Sequence, residues 1–347
     1  MKLLAFLKLK FLLSQLSQRS NFLKFSYLLA LISYLFFNAI TTYADSVLPD
    51  PKNLIAEMSI ATSQLNYDGI FTYRYDKKID TMRIIHKNKK GDIFERLISL
   101  TGNRREIVRE NDKVKYFFPE NKIAIIERSK LGQLLSSYIP DTNQSISKFY
   151  VFDILGDGRI AGRNAWIVNI KPIDRFRYGY QLWIDKKSKL LLRSRLKNYQ
   201  GVNLEDVMFV KLDVLEDISD SLFKPSFSSN NFTWINNIKS NINSDRAVQT
   251  KWKASWIPKG FLMTGYTKDP MPTSKIPVDH FIYTDGLATI SVYVEKLNHQ
   301  QPINSGTTNF GGVNTYSLST NGYQITAVGE VPKTTVELIV NSVKLSP

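Results

Sequence analysis

The sequence predicts a mainly β chain of the α+β class: a large antiparallel sheet curling toward a half-open barrel under a cover of one or two helices, then a small α+β domain. Three observations predict this. Side chains alternate through "NYDGIFTYRYDKKIDTMRIIHK", Asn66 to Lys87, with the period of two that a strand imposes. From Tyr67 to Leu215 one strand-like run follows another, split by Asp, Gly, Asn and Lys turns. Beyond Pro225 the composition changes, and a second set of apolar patterns follows.

Residues 1–44 hold Lys2, Lys8, Lys10, Arg19 and Lys24 and no acid, then the apolar run "FSYLLALISYLFFNAI", then "TTYA". This is the pattern of a secretory signal peptide, with Thr42 and Ala44 as the small residues before cleavage after Ala44. The apolar run is near the length of a short spanning helix, so a retained membrane anchor is the alternative. Asp50 then caps a helix with Pro51 in its first position, and Leu54, Met58, Ala61 and Leu65 follow at helical spacing, which predicts packing on a sheet. In the hairpin, Phe71, Tyr73 and Tyr75 share one face, the chain turns on Asp76, Lys77 and Lys78, and Met82, Ile84 and His86 return together. "IFERLISL", "RREIVRE", "KVKYFF", "KIAIIE", "KFYVFDIL", "AWIVNIKP", "YGYQLWID", "KLLLRSRLKNY" and "LEDVMFVKLDVL" continue the strands, with "KLGQLLSSYI" as a helical interruption. Residues 46–223 form this first domain. Residues 224–246, dense in Ser and Asn, read as a linker. Residues 247–347 form the second domain, with strands "FLMTGYT", "DHFIYTD", "ATISVYVEKL", "VNTYSLS" and "YQITAVG". Pro332 stands near the start of its closing helix, whose buried stripe is Val336, Ile339, Val340 and Val343.

The chain of 347 residues has no cysteine, so neither a disulfide framework nor a thiolate metal site is available, and the fold rests on buried apolar area. The 303 residues beyond the leader exceed one comfortable core, which favours two domains. The formal charge of +15 falls to about +10 without the leader's five basic residues, and 16 Lys and Arg face 9 acids between Arg74 and Lys130. That excess is either scattered over solvated strand faces or gathered toward lipid phosphates or an acidic partner.

Chemistry-bearing motifs are few. His86, His280 and His299 are the only histidines, and none stands at the spacing that puts two on one helix face for a metal. "GDGRIAG", Gly156 to Gly162, lacks both the P-loop Lys-Ser/Thr and the full dinucleotide fingerprint and reads as a tight turn between strands. "DILGDG" has Leu at the third position of a calcium loop and no Glu at the required distance. Glu106 and Glu110, flanked by basic residues, read as cross-strand ion-pair partners rather than a general acid and base. The expectation is a binding protein and no enzyme, with no cofactor, no metal and no nucleic-acid partner. The aromatic and Met content of the sheet fits either an ordinary core or the wall of an apolar pocket.

"NYDGIFTYRY…TMRIIHK", "ERLISLTGNRREIVRE", "GRIAGRNAWIVNIKPIDRFRYGYQLWID…LLLRS", "WIPKGF", "YTDGLATISVYVE" and "GGVNTYSLSTNGYQITAVGEVP" together resemble, in order and across both domains, the RseB/MucB family of periplasmic regulators of the stress sigma factor sigma-E. That resemblance implies an N-terminal domain similar to the lipoprotein carriers LolA and LolB, a half-open barrel plugged by helices. It implies a periplasmic negative regulator that binds the periplasmic domain of an inner-membrane, RseA/MucA-like anti-sigma factor and shields it from the first protease of a release cascade. Lipidic signals, mislocalised lipoproteins or lipopolysaccharide, would loosen that complex, so a lipid or acylated ligand is a second partner and self-association is open. A lipid or lipoprotein carrier of the LolA type is the alternative. On this reading the lipid-cavity candidates are Phe71, Tyr73, Tyr75, Met82 and Trp183, with His86 as packing or rim. The partner-binding candidates are Tyr283, Asp285 and Gly286, in a turn ahead of a strand, and Tyr316 and Tyr323, which flank the Asn321-Gly322 hairpin turn.

Overall fold

The computed structural model describes residues 48–128, 146–236, 250–270, 276–297 and 305–345. The leader with its cleavage site, the segment "KLGQLLSSYI", residues 237–246 of the expected linker and His299 lie outside the described residues. Helix α1, Pro51–Gln64, starts where its sequence says it should, because Asp50 is extended and its Oδ1 accepts the Lys52 N–H at 3.0 Å. Leu54, Ile55, Met58, Ala61 and Thr62 form its buried face, and Leu65 has already left the helical conformation.

Strands β1 (Asn66–Tyr75), β2 (Lys78–Lys89), β3 (Asp92–Ser99), β4 (Glu106–Glu110), β5 (Lys113–Phe118) and β6 (Ile123–Arg128) run outward as an antiparallel meander. The chain resumes at the far edge with β7 (Tyr150–Ile160) and returns through β8 (Arg163–Pro172), β9 (Gly179–Asp185) and β10 (Leu191–Lys197) to β11 (Asn203–Leu215), which pairs antiparallel with β1. The "GDGRIAG" stretch supplies the β7–β8 hairpin, with positive φ at Ala161 and Gly162 as a tight primed turn requires. Helix α1 touches both β2 and β7, although β1, β11, β10, β9 and β8 lie between them in the sheet. The sheet therefore curls round the helix. Its hydrogen-bonded ladder ends at β7 on one side and, on the other, at a strand from an unexpected place.

That strand is β12, Thr233–Asn236, which lies within the segment expected to be a linker and runs parallel to β6. Phe227 and Trp234 set their edges on Phe117, with centroids 5.6 and 5.9 Å away, and Phe232 stacks on Phe227. The Ser226 hydroxyl donates to Glu106, which also holds Arg96 in a cross-strand ion pair at 2.8 Å. Three aromatic anchors thus outweigh a composition that otherwise favours a solvated connection.

The second sheet runs β14 (Leu262–Pro270), β15 (Pro277–Thr284), β16 (Thr289–Lys296), β19 (Tyr323–Gly329), β18 (Val313–Thr320) and β17 (Gly306–Phe310). Helix α2, Lys333–Ser342, packs on β18 and β19, and β13 (Trp252–Ala254) pairs with β20 (Val343–Leu345). Val336, Ile339, Val340 and Val343 are buried as expected, though Val343 opens β20 rather than ending the helix. They join Trp252, Phe281, Ile290, Val292, Ile325 and Ala327 in a core distinct from those of the large sheet. Residues 49–347 nevertheless form one compact unit. Among the described residues no helix is long and apolar enough to cross a membrane.

Candidate functional site

The inner face of the large sheet is set by register. Tyr67, Gly69, Phe71, Tyr73 and Tyr75 alternate inward along β1, with Met82 opposite Phe71 on β2 and Phe209 opposite Phe71 on β11. Phe71 and Met82 are buried in one cluster with Ile84, Val207, Phe209 and Leu212, and Tyr73 packs against it. Tyr73 stacks on Tyr75 at 4.9 Å, and Tyr75 is covered by Phe310 at 4.6 Å. Four of the five cavity candidates therefore form a continuous aromatic and Met wall.

Trp183 is buried in the same apolar cluster, but its strand pairing sets it on the other face. Tyr73 lies opposite Val207, then Ser194 and Leu182, whereas Trp183 lies opposite Arg193, then Met208 and Thr72. Paired residues point the same way, so Trp183 faces the reverse side, and Leu182 takes the inner position expected of it. There the Arg193 and Arg195 guanidiniums each lie 5.0 Å from its ring and bond Asp206. Burial alone would raise the Asp206 carboxyl, but the hydrogen bonds and charge of Arg193 and Arg195 hold it below its ordinary value.

The partner candidates divide as well. Tyr283 is inside the C-terminal core, while Tyr316 and Tyr323 are half-buried against it and Gly286, at φ 94°, stands exposed at the turn. Asp285 is buried. Its Oδ1 accepts the Leu287 and Ala288 amides, which shapes the turn, and its Oδ2 accepts from Arg177 at 2.6 Å and from the Tyr150 hydroxyl at 2.9 Å. The short turn reads as surface in the sequence because its ligand, Arg177, lies 108 residues earlier.

Arg177 is the centre of a junction between the two sheets that sequence reasoning missed. Its guanidinium is fully buried, reaches Asp174, Asp285 and the Lys259 carbonyl, and lies 4.9 to 5.5 Å from the rings of Phe149, Tyr150 and Phe261. Around it the Tyr180 hydroxyl donates to Glu330 at 2.6 Å, Asn314 Nδ2 to the Tyr178 hydroxyl at 3.0 Å and the Thr335 hydroxyl to the Phe176 carbonyl at 2.8 Å. The β17–β18 turn docks here too: Gly312 N–H donates to Glu205 on β11, and Gly311 sits at φ 56° in contact with the same carboxylate, where a side chain has no room. Burial pushes the Glu330 carboxyl up to about 7, and the charge of Glu205 adds to the effect. Phe310, the residue before this turn, is the one that covers Tyr75, so the aromatic wall and the junction meet at one hairpin tip. Among the described residues no three His, Asp or Glu side chains are grouped as a metal ion needs.

Two family models match the chain in succession, and β12 falls between them. The MucB/RseB N-terminal domain matches residues 50–227, and the MucB/RseB C-terminal domain matches residues 246–344. The chain is 29% identical over 296 residues to the sigma-E factor regulatory protein RseB of Haemophilus influenzae, covering 84% of this chain and 90% of that protein. It is 28% identical over 300 residues to the sigma factor AlgU regulatory protein MucB of Pseudomonas aeruginosa, covering 85% and 91%. Among solved structures it resembles MucB in complex with MucA(peri), at 25% identity and a TM-score of 0.66, over 86% of this chain and all of that one. The Pseudomonas aeruginosa MucA/MucB complex gives 26% identity and a TM-score of 0.68, with 86% of this chain covered.

Proposed function

The chain belongs to the MucB/RseB family, and on that premise we propose that it is a negative regulator of the sigma-E envelope stress response that binds the periplasmic domain of a membrane-embedded anti-sigma factor. The observation that carries this reading is the match of both family domains, in order, together with the likeness of the whole described fold to MucB as it is held by MucA(peri). A regulator needs a partner surface and a way to release it, and the two sheets with their polar junction are suited to that division.

In this reading residues 1–44 direct export and are removed after Ala44, and the curled sheet serves as a half-open barrel of the LolA/LolB kind with α1 inside its curve. Phe71, Tyr73, Tyr75 and Met82 form the wall for a lipid or acylated ligand. Gly286, Tyr316 and Tyr323 contribute to the partner surface, while Tyr283 and Asp285 act from within by holding the turn that presents it. A ligand that prefers the partner-free conformation weakens partner binding by the ratio of its affinities for the two states, and the partner weakens the ligand by the same factor. The carrier alternative uses the same wall but gives residues 246–344 no task.

Fluorescence anisotropy with a labelled anti-sigma periplasmic domain tests the proposal. Saturable binding, slower cleavage of that domain by its protease, and loss of both on adding lipopolysaccharide or a lipidated peptide are expected. Co-purification with lipoproteins alone, and no binding of the anti-sigma domain, would instead establish the carrier.

A further inference from the structure

One row of the inner face breaks its apolar pattern. Tyr67 on β1, His86 on β2, Glu95 on β3 and Arg109 on β4 stand in direct register across neighbouring strands and are all buried. The next inward row, Gly69, Ile84 and Leu97, is apolar, and Phe71 and Met82 follow beyond it. Holding the strands together does not call for such a row, because apolar side chains would do so without the desolvation that polar groups incur. Arg109 and Glu95 offset part of that cost by pairing at 3.1 Å.

Tyr67 and His86 stack with centroids 4.7 Å apart and planes 11° from parallel. His86 Nδ1–H donates to the Leu65 carbonyl, 2.8 Å away, which fixes the tautomer and leaves Nε2 as a bare acceptor. Burial pulls the imidazole down to about 4, against the Leu65 bond, so the ring is neutral near pH 7. Neither the Tyr67 hydroxyl nor His86 Nε2 has a hydrogen-bond partner among the described residues, although both are enclosed. A donor and an acceptor are thus held side by side on a rigid sheet and used by nothing among the described residues.

We propose that Tyr67 and His86 form a binding site for an uncharged group that carries both a hydrogen-bond donor and an acceptor on an apolar chain, a secondary amide being the form that satisfies both atoms. The amide N–H meets His86 Nε2, the Tyr67 hydroxyl donates to the amide oxygen, and the chain lies along Ile84, Phe71 and Met82. This deepens, and rests on, the reading of the inner face as the ligand-sensing wall. Phosphate or carboxylate heads are selected against, since their charge would be desolvated beside an imidazole with no proton to offer while the Arg109 guanidinium of the row is already paired with Glu95, whatever the basic outer surface attracts. Both side chains are at most 1% exposed, so the ligand reaches them only when the face opens, and binding selects the opened form.

The test uses the purified protein with N-methyldodecanamide and dodecyl phosphate, titrated calorimetrically without partner. The amide is expected to bind about tenfold more tightly than the phosphate, and Tyr67→Phe to lose about tenfold for the amide alone. Tyr67→Phe is also expected to keep or raise Tm, because the hydroxyl makes no bond among the described residues. The amide should shift the ¹⁵N resonance of His86 Nε2 while leaving it in the neutral range. Equal or reversed preference, unchanged amide affinity in Tyr67→Phe, or a Tm lowered by several degrees in that variant would each overturn the proposal. Protein that binds the anti-sigma domain in the anisotropy assay but binds no amide would refute this site and leave the regulator reading standing.

Discussion

At the scale of single residues, the buried charges of the junction make the sharpest predictions. Arg177→Met leaves Asp285 enclosed with only Tyr150 and two amides as partners, and is expected to cost about 3–5 kcal/mol in urea unfolding. Adding Asp285→Asn removes the uncompensated charge, keeps the acceptor for the turn amides, and should recover much of the loss. Glu330 predicts a pH dependence. The folded protein holds its proton up to about 7, whereas the unfolded chain releases it near 4.5, so the native state binds more protons between those values and stability falls as pH rises through that window. The loss is about 2 kcal/mol by pH 8, discounted for partial exposure. Glu330→Gln should therefore match the parent at pH 4 and exceed it at pH 8 in urea midpoint. His86 slopes the other way: depressed to about 4 from 6.5, it adds stability as pH rises through that range, so the variant should rise more steeply than the parent. These residues were the least legible in the sequence. Arg177 in "DRFRYGY" carries no local sign of its partner, and Leu182 and Trp183 are adjacent apolar residues whose faces are decided by a pairing register that their own segment does not encode.

At the scale of elements, most of the fold was legible because the signals are local. The period of two in Asn66–Tyr75, the Asp50-Pro51 start of α1 and the Asn321-Gly322 turn with its two positive φ angles each appear where the residues place them. Strand β12 was not, since Ser and Asn dominate its neighbourhood and the anchors Phe227 and Trp234 find their ring partner, Phe117, on the distant β5. Its pairing with β6 is checked by hydrogen exchange: β12 amides that bond to β6 should be protected well above free-chain rates, and Phe117→Ala should abolish that protection first. Exchange at free-chain rates in the parent would show that β12 does not hold.

At the scale of the whole molecule, the core of the small sheet and those of the large sheet share one polar junction, so the balance between one unfolding unit and two hangs on a few side chains. The parent is expected to unfold in urea in a single step, with tryptophan fluorescence and far-ultraviolet circular dichroism coincident, and Arg177→Met to separate the two sheets into two transitions. Two transitions already in the parent would mean that the junction contributes little. The place of β1 has a further consequence. It sits in the middle of the large sheet, and its second neighbour, β11, comes only at Asn203–Leu215 and ends where Asn66 meets Leu215. A chain delivered N-terminus first must keep one side of β1 unmatched until β11 arrives. Contacts so distant along the chain slow folding, which for sheets of this kind takes about milliseconds to seconds. Throughout that interval the Phe71 to Tyr75 edge is open to any passing strand, which makes the newly made chain, rather than the finished one, the form most in need of a chaperone.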